Sequence, residues 1–243
     1  MRAECARSRR GTAARTSKTA APPSGHPPGR MPHMKIVVFG ANGGSGKQVV
    51  GRALASGHEV IAAVRKPEAY EARPGVRAVK GDVLDPASIA AAIAGVDAVI
   101  STFGPANNKE PGTLMSDGVK NLVAACEAAG VQKLVFESGL MTSDGRGLSI
   151  FGRLGLKMVG SMYSKMRDDK RIAEATIRAS SLAYVIVRPP NLFDGPARGT
   201  YVHGVDQRIN PAKKLAHADV AELLVQAAHD ARLARTTQDV GEP

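Results

Sequence analysis

KIVVFGANGGSG, residues 35–46, opens with a short apolar run after Lys35 and stops on a glycine-rich turn. A run of that length, bounded by Gly40 and rich in valine, reads as a buried strand. The residues that follow change period: Val49, Val50, Ala53 and Leu54 have helical spacing, which predicts a helix from Gly44 to Ser56. Strand, glycine turn, helix is the opening of a βαβ unit.

The alternation continues outward from this unit. Glu59–Val64 (EVIAAV) and Val76–Lys80 (VRAVK) read as the second and third strands. Asp85-Pro86 opens a helix to about Ala94, with Asp as N-cap and Pro in the first turn. Asp97–Ser101 is the fourth strand. A long helix covers Thr113–Ala129, stopped by Gly130. Lys133–Glu137 is the fifth strand, Tyr163–Ser180 a helix, and Ala183–Arg188 the sixth strand. The chain then runs through an extended stretch near Thr200–His203 into a helix from Ala218 to about Asp230. Strands that alternate with helices predict a Rossmann-type, doubly wound α/β fold with a parallel sheet covered on both faces. Their continuous Val/Ile character fits doubly buried parallel strands. The segment after strand six is expected to form a small C-terminal cap over the crevice.

Ligands of such sheets bind beyond the carboxyl ends of the strands, where the glycine turn lies. Gly40, Gly43 and Gly46 follow the spacing GxxGxxG. Gly40 permits the tight turn, Gly43 the approach of a pyrophosphate, and Gly46 the packing of helix on strand. Free amides and the helix dipole of Gly44 onward then meet the anion, and Asn42 and Ser45 add side-chain donors. The overlapping stretch before Lys47-Gln48 only imitates a nucleotide-triphosphate loop. Its first position is Ala41, and Gln48 stands where a magnesium-binding hydroxyl belongs. At the end of strand two, 19 residues past Gly46, an NAD site would carry an acid for the ribose 2′-hydroxyl. This chain has Arg65-Lys66 there. Two cations suit a 2′-phosphate, so NADP(H) is favoured over NAD(H). Asp82 and Val83 fall under the adenine, and Thr102, Phe103 and Gly104 along the middle of the cofactor.

Composition limits the alternatives. The 243 residues are 43% hydrophobic and 23% charged, with a net charge of +11. More than half of that charge sits on residues 1–33, where seven cations face only Glu4. That stretch, rich in Arg, Ala, Pro and Gly, is expected to be a disordered basic extension preceding a dinucleotide-binding domain at 34–243. A transit peptide, a basic arm and an upstream extension of the reading frame all fit it. The last fits best, because Met34 directly precedes the first strand. No run approaches the roughly 18 apolar residues of a membrane span. Two cysteines make no disulfide framework and fit a reducing, cytoplasmic setting. No Cys/His cluster has metal spacing, so neither a metal nor a membrane partner is expected. Nucleic acid is not expected either, at 4% aromatic residues and with no recognition motif.

GANGGSG (40–46), SGHEVIAAVRKPE (56–68), GDVLDPASIAAAIAGVDAVIS (81–101), YVIVRPPNLFDGP (184–196) and HADVAELL (217–224) resemble the atypical short-chain dehydrogenase/reductase superfamily. Within it, the resemblance is to the NmrA-like NAD(P)-binding and flavin reductase/biliverdin-IXβ reductase branch, over about residues 35–230. It implies that Ser138 lies beside the nicotinamide as a donor to a substrate oxygen, although a serine there is also a common turn residue. It implies that Pro189, Pro190 and Asn191 pass under that ring. The biliverdin type carries a histidine where this chain has Asn191. The superfamily's Tyr-x-x-x-Lys is matched locally by Tyr163, but Arg167 stands in the lysine's place. Lys170, one turn on, points to the cofactor ribose or to solvent.

Two functions follow. One is an NADPH-dependent oxidoreductase that passes hydride to a flavin, quinone or related conjugated carbonyl. The other is a non-catalytic dinucleotide sensor that acts through a protein partner, as the missing Tyr-x-x-x-Lys suggests. A sugar-nucleotide epimerase ranks last, because the segment after strand six is short for a substrate domain.

Overall fold

The computed structural model describes residues 33–243. The basic extension read over residues 1–33 therefore lies outside the described residues, apart from His33.

The first six strands fall where the sequence places them: β1 (Lys35–Phe39), β2 (Glu59–Val64), β3 (Val76–Lys80), β4 (Ala98–Ser101), β5 (Lys133–Glu137) and β6 (Ala183–Arg188). Between them run α1 (Gly44–Ala55), α2 (Pro86–Ile93), α3 (Leu114–Ala129), α4 (Ile150–Met162) and α5 (Ser164–Ala179). Three short strands, β7 (Leu192–Phe193), β8 (Val202–Gly204) and β9 (Leu215–Ala216), precede α6 (His217–His229) and β10 (Thr236–Gly241). The main sheet has the order β3-β2-β1-β4-β5-β6-β10-β8. Its first seven strands are parallel, and only β8 runs antiparallel, against β10. The order reverses between β1 and β4, which opens a crevice at their carboxyl ends.

Strand alternation fills both faces. Ile36 and Val38 point into a core with Val49, Val50, Val220 and Leu224, under α1 and α6. Val37 and Phe39 point into the opposite core with Ile89, Val119 and Ile177, under α2, α3 and α5. Local chemistry sets the helix ends. The Asp85 carboxylate accepts from the amides of Ala87 and Ser88. Gly130, at φ +72°, closes α3 in the left-handed region. Buried Asp169 of α5 accepts from the amides of Met115 and Ser116, and so caps α3 from a neighbouring helix.

Two elements correct the sequence reading. Helix α4 occupies a stretch to which the sequence reading gave no element. The C-terminal segment is more than a cap: β10 returns to the main sheet beside β6, with β8 on its edge. Its sequence, TTQDVG, lacks a valine run. What seats it is the ladder to β6, its buried Gln238 and Asp239, and one core residue, Val240, with no apolar run.

Candidate active site

The glycine turn is built by steric necessity. Gly40 has φ +81°, and a Cβ there would lie 2.6 Å from the Phe103 amide nitrogen. The Gly43 amide donates to Gly40 O at 2.9 Å, and the Lys47 amide to Gly43 O at 2.9 Å. A Cβ on Gly46 would fall 2.1 Å from Gly40 O, so α1 starts flush against the turn. The N-cap Gly43 offers no side chain, and the first turn of α1 holds no acid. The first amides of α1 therefore face the crevice with neither a cap nor a neutralising charge. These features fit a dinucleotide pyrophosphate.

Around the turn, Thr102 Oγ1 donates to Phe39 O at 3.0 Å and ties β4 to β1. Phe103 packs over Gly118 of α3, and Gly104 is exposed. Asp82 accepts from the Leu84 amide at 3.0 Å, and Val83 is buried beside Gly118. Asn42, Arg65 and Lys66 are exposed, and neither cation forms an ion pair among the described residues.

The far half of the crevice departs from expectation. Ser138 is buried, and its hydroxyl donates to Glu174 Oε1 at 2.6 Å. Thr142 donates to the same oxygen, also at 2.6 Å. Arg188 forks onto both Glu174 oxygens, and Arg178 adds a third cationic contact at 2.7 Å. The Arg188 guanidinium and the two hydroxyls overcome burial and hold the Glu174 carboxyl down at about 2. The proton of Ser138 thus goes to Glu174, not to the crevice.

Lys170 Nζ donates to Ser138 O at 2.7 Å, so these two expected residues do meet, through the backbone carbonyl. Burial lowers the Lys170 pKa, against the charges of Glu137, Glu174 and Asp169. Tyr163 does not join them. It sits at the junction of α4 and α5 with non-helical backbone (φ −115°, ψ 39°), seven residues or roughly 10 Å of helix rise before Lys170. Arg167, spaced as its partner, pairs with Asp168 at 3.0 Å. One turn before Lys170 stands buried Met166. Pro189 and Asn191 pin the end of β6 by accepting from the amides of Leu140 and Leu215. Pro190 is half-buried between them.

Sequence reasoning missed a polar cluster under the turn. Ser45 Oγ donates to Glu137 Oε1 at 2.8 Å and lies 2.9 Å from His217 Nδ1. With Glu137 ionised, the Ser45 proton goes to the carboxylate and His217 Nδ1–H donates to Ser45. The imidazole lies against Gly44, where a Cβ would be 2.6 Å from Nε2. Glu137 Oε2 is buried without a hydrogen-bond partner among the described residues. Burial pushes Glu137 up to about 7, against the Ser45 bond and the Lys170 charge. Burial also lowers His217, against the charge of Asp194 at 3.9 Å. The available signal was a carboxylate directly after the apolar run Leu134–Phe136, at the crevice end of β5. Among the described residues, no group of three or more His, Cys, Asp or Glu could hold a metal ion. No helix among them is long and apolar enough to cross a membrane.

Residues 40–231 match the protein family described as NAD(P)H-binding, close to the extent of the motifs above. An uncharacterized chloroplastic protein of Arabidopsis thaliana is 30% identical over 79% of this chain and 71% of its own. A 2-alkyl-3-oxoalkanoate reductase of Stenotrophomonas maltophilia is 31% identical over 67% of this chain. The match spans only about half of that enzyme, 52%. Among solved structures, ChuY, an anaerobillin reductase from Escherichia coli O157:H7, superposes with a TM-score of 0.71. It is 25% identical and covers 86% of this chain and 97% of its own.

Proposed function

The chain belongs to the NAD(P)H-binding family, and from that premise we propose that it is an NADPH-dependent oxidoreductase that passes hydride to a flavin, quinone or related conjugated carbonyl. The carrying observation is the uncapped, acid-free start of α1 at the switch point, with exposed Arg65 and Lys66 at the end of β2. The first-turn amides hold the pyrophosphate, and the two cations hold a 2′-phosphate. When bound, the dinucleotide supplies the hydride. Lys170, fixed on Ser138 O, sets a positive charge at the base of the crevice. Burial raises Glu137 to about 7, so its carboxyl gains and loses a proton near neutral pH. Neither Ser138 nor Tyr163 is needed as an acid, since a flavin or quinone takes protons from water. The reductase names among its relatives support this reading. The buried free thiol of Cys126 suits a reducing compartment such as the cytoplasm.

A second reading, a dinucleotide sensor working through a protein partner, is favoured by one observation. The proton of Ser138 is committed to Glu174, and Met166 stands where a tyrosine would pair with Lys170. The full chain, mixed with NADPH and followed by cofactor fluorescence, separates the two. Binding followed by rapid decay on adding flavin or quinone supports the reductase. Stable binding with no decay for any such acceptor supports the sensor.

A further inference from the structure

Helix α4 leaves most of its apolar side chains in water. Ile150, Phe151, Leu154, Met158 and Met162 are 82%, 85%, 67%, 64% and 65% exposed, and Gly160 alone in the helix is buried. At 3.6 residues per turn these five side chains share one arc of ~120°. Single exposed apolar residues are ordinary, but a contiguous stripe of five marks a surface that something covers. Three glycines, Gly152, Gly155 and Gly160, weaken the helix from within. Ser149 caps its start through the Gly152 amide at 3.1 Å.

The charges around the stripe identify the partner. Residues 145–167 carry Arg146, Arg153, Lys157, Lys165 and Arg167 and not one carboxylate. Arg153 and Lys157 are exposed and border one edge of the stripe. Arg146 and Arg167 pair with the flanking Asp144 and Asp168, which leaves Arg153, Lys157 and Lys165 without a carboxylate partner among the described residues, and a second copy would bring Arg153 and Lys157 against their own equivalents. A phenylalanine-, leucine- and methionine-bearing face flanked by exposed cations is the pattern of a helix that lies in a lipid interface.

We propose that α4 docks this protein peripherally on an anionic lipid surface, with the Ile150–Met162 face in the acyl boundary and Lys157 at the headgroups, beside an Arg153 whose guanidinium is held on Gly145 O and Arg146 O. The expectation of no membrane partner rested on the absence of a spanning segment, and an interfacial helix needs none.

The chain has no tryptophan, so Phe151→Trp in the full chain gives one reporter on the face itself. We expect its emission to shift to the blue on vesicles of phosphatidylglycerol and phosphatidylcholine, with affinity roughly tenfold above that for phosphatidylcholine alone. Adding Lys157→Glu should weaken this binding, and Leu154→Asp with Met158→Asp should abolish the shift while NADPH binding persists. Unchanged emission on anionic vesicles overturns the proposal, even if the protein sediments with them through its basic N-terminal residues. A blue shift without lipid that grows with protein concentration also overturns it, and assigns the face to a second copy.

Discussion

The Ser45 hydroxyl, in the first turn of α1, donates to Glu137 Oε1 at 2.8 Å and so couples the glycine turn to the end of β5. A buried carboxyl thus stands one hydroxyl away from the first turn of α1, where the proposed pyrophosphate site lies. Its second oxygen has no partner among the described residues, and its pKa is pushed from 4.5 to about 7.

The folded chain therefore binds this proton more tightly than the unfolded chain. The stabilisation is complete below pH 4.5 and is lost as pH rises to about 7, by up to about 3 kcal/mol. Glu137→Gln keeps an acceptor for Ser45 and removes the titration. Urea unfolding at pH 5 and pH 8 should show the variant gaining on the wild type at pH 8. NADPH affinity should fall from pH 6 to 8 in the wild type and stay flat in the variant. Parallel pH profiles for the two proteins would exclude Glu137 as the titrating group.

Glu174 behaves in the opposite sense. Its carboxyl is held at about 2, so its contribution is complete above pH 4.5 and disappears as pH falls toward 2. Glu174→Ala leaves Arg188 half-buried, Ser138 and Thr142 without their acceptor, and Asp239 as the remaining counter-charge at 3.8 Å. We expect a loss of ~3–5 kcal/mol at pH 7, read by urea unfolding. The difference from wild type should shrink by pH 3.

Gly44 and His217 provide a double-mutant test. Gly44→Ala sets a methyl 2.6 Å from the imidazole, so the ring must swing off Ser45. In a His217→Ala background the space is free, and Gly44→Ala should cost less by about 1 kcal/mol or more. Gly46→Ala meets the Gly40 carbonyl at 2.1 Å, which is backbone, so His217→Ala should not rescue it. Additive costs for Gly44→Ala and His217→Ala would show that the ring does not occupy this space in solution.

The sheet was legible wherever one physical cause acted locally. Valine-rich runs marked β1 to β6, Asp85-Pro86 marked the start of α2, and Gly130 marked the end of α3. Glycines 40, 43 and 46 marked the turn because backbone geometry is written in residue type. Helix α4 escaped because Gly152, Gly155 and Gly160 lower its helix propensity, although Ile150, Leu154, Met158 and Met162 keep i, i+4 spacing. Strand β10 escaped because a ladder, buried polar groups and one core valine, with no apolar run, hold it. Ser138 follows β5 directly, but position does not give the direction of a hydroxyl. That direction depends on Glu174, 36 residues away. Ser45 and His217 meet across 172 residues, beyond any local reading.

The proposed preference for NADPH rests on Arg65 and Lys66, whose exposed charges follow β2 with no acid in the position a ribose 2′-hydroxyl requires. A charge-assisted contact to a phosphate is worth ~1.5–3 kcal/mol, so each cation supports a tenfold or greater preference. Arg65→Ala with Lys66→Ala should raise the Kd for NADPH by roughly a hundredfold and move that for NADH by less than about twofold. Added salt should narrow the gap between the two proteins, since both side chains are in water. Arg65→Asp goes further: it repels the 2′-phosphate and offers an acceptor to a 2′-hydroxyl, so the preference should reverse toward NADH. Fluorescence titration of the three proteins with both reduced cofactors measures all of this. An equal loss for NADPH and NADH would show that these cations act on the shared pyrophosphate, and the specificity would then have to come from other residues.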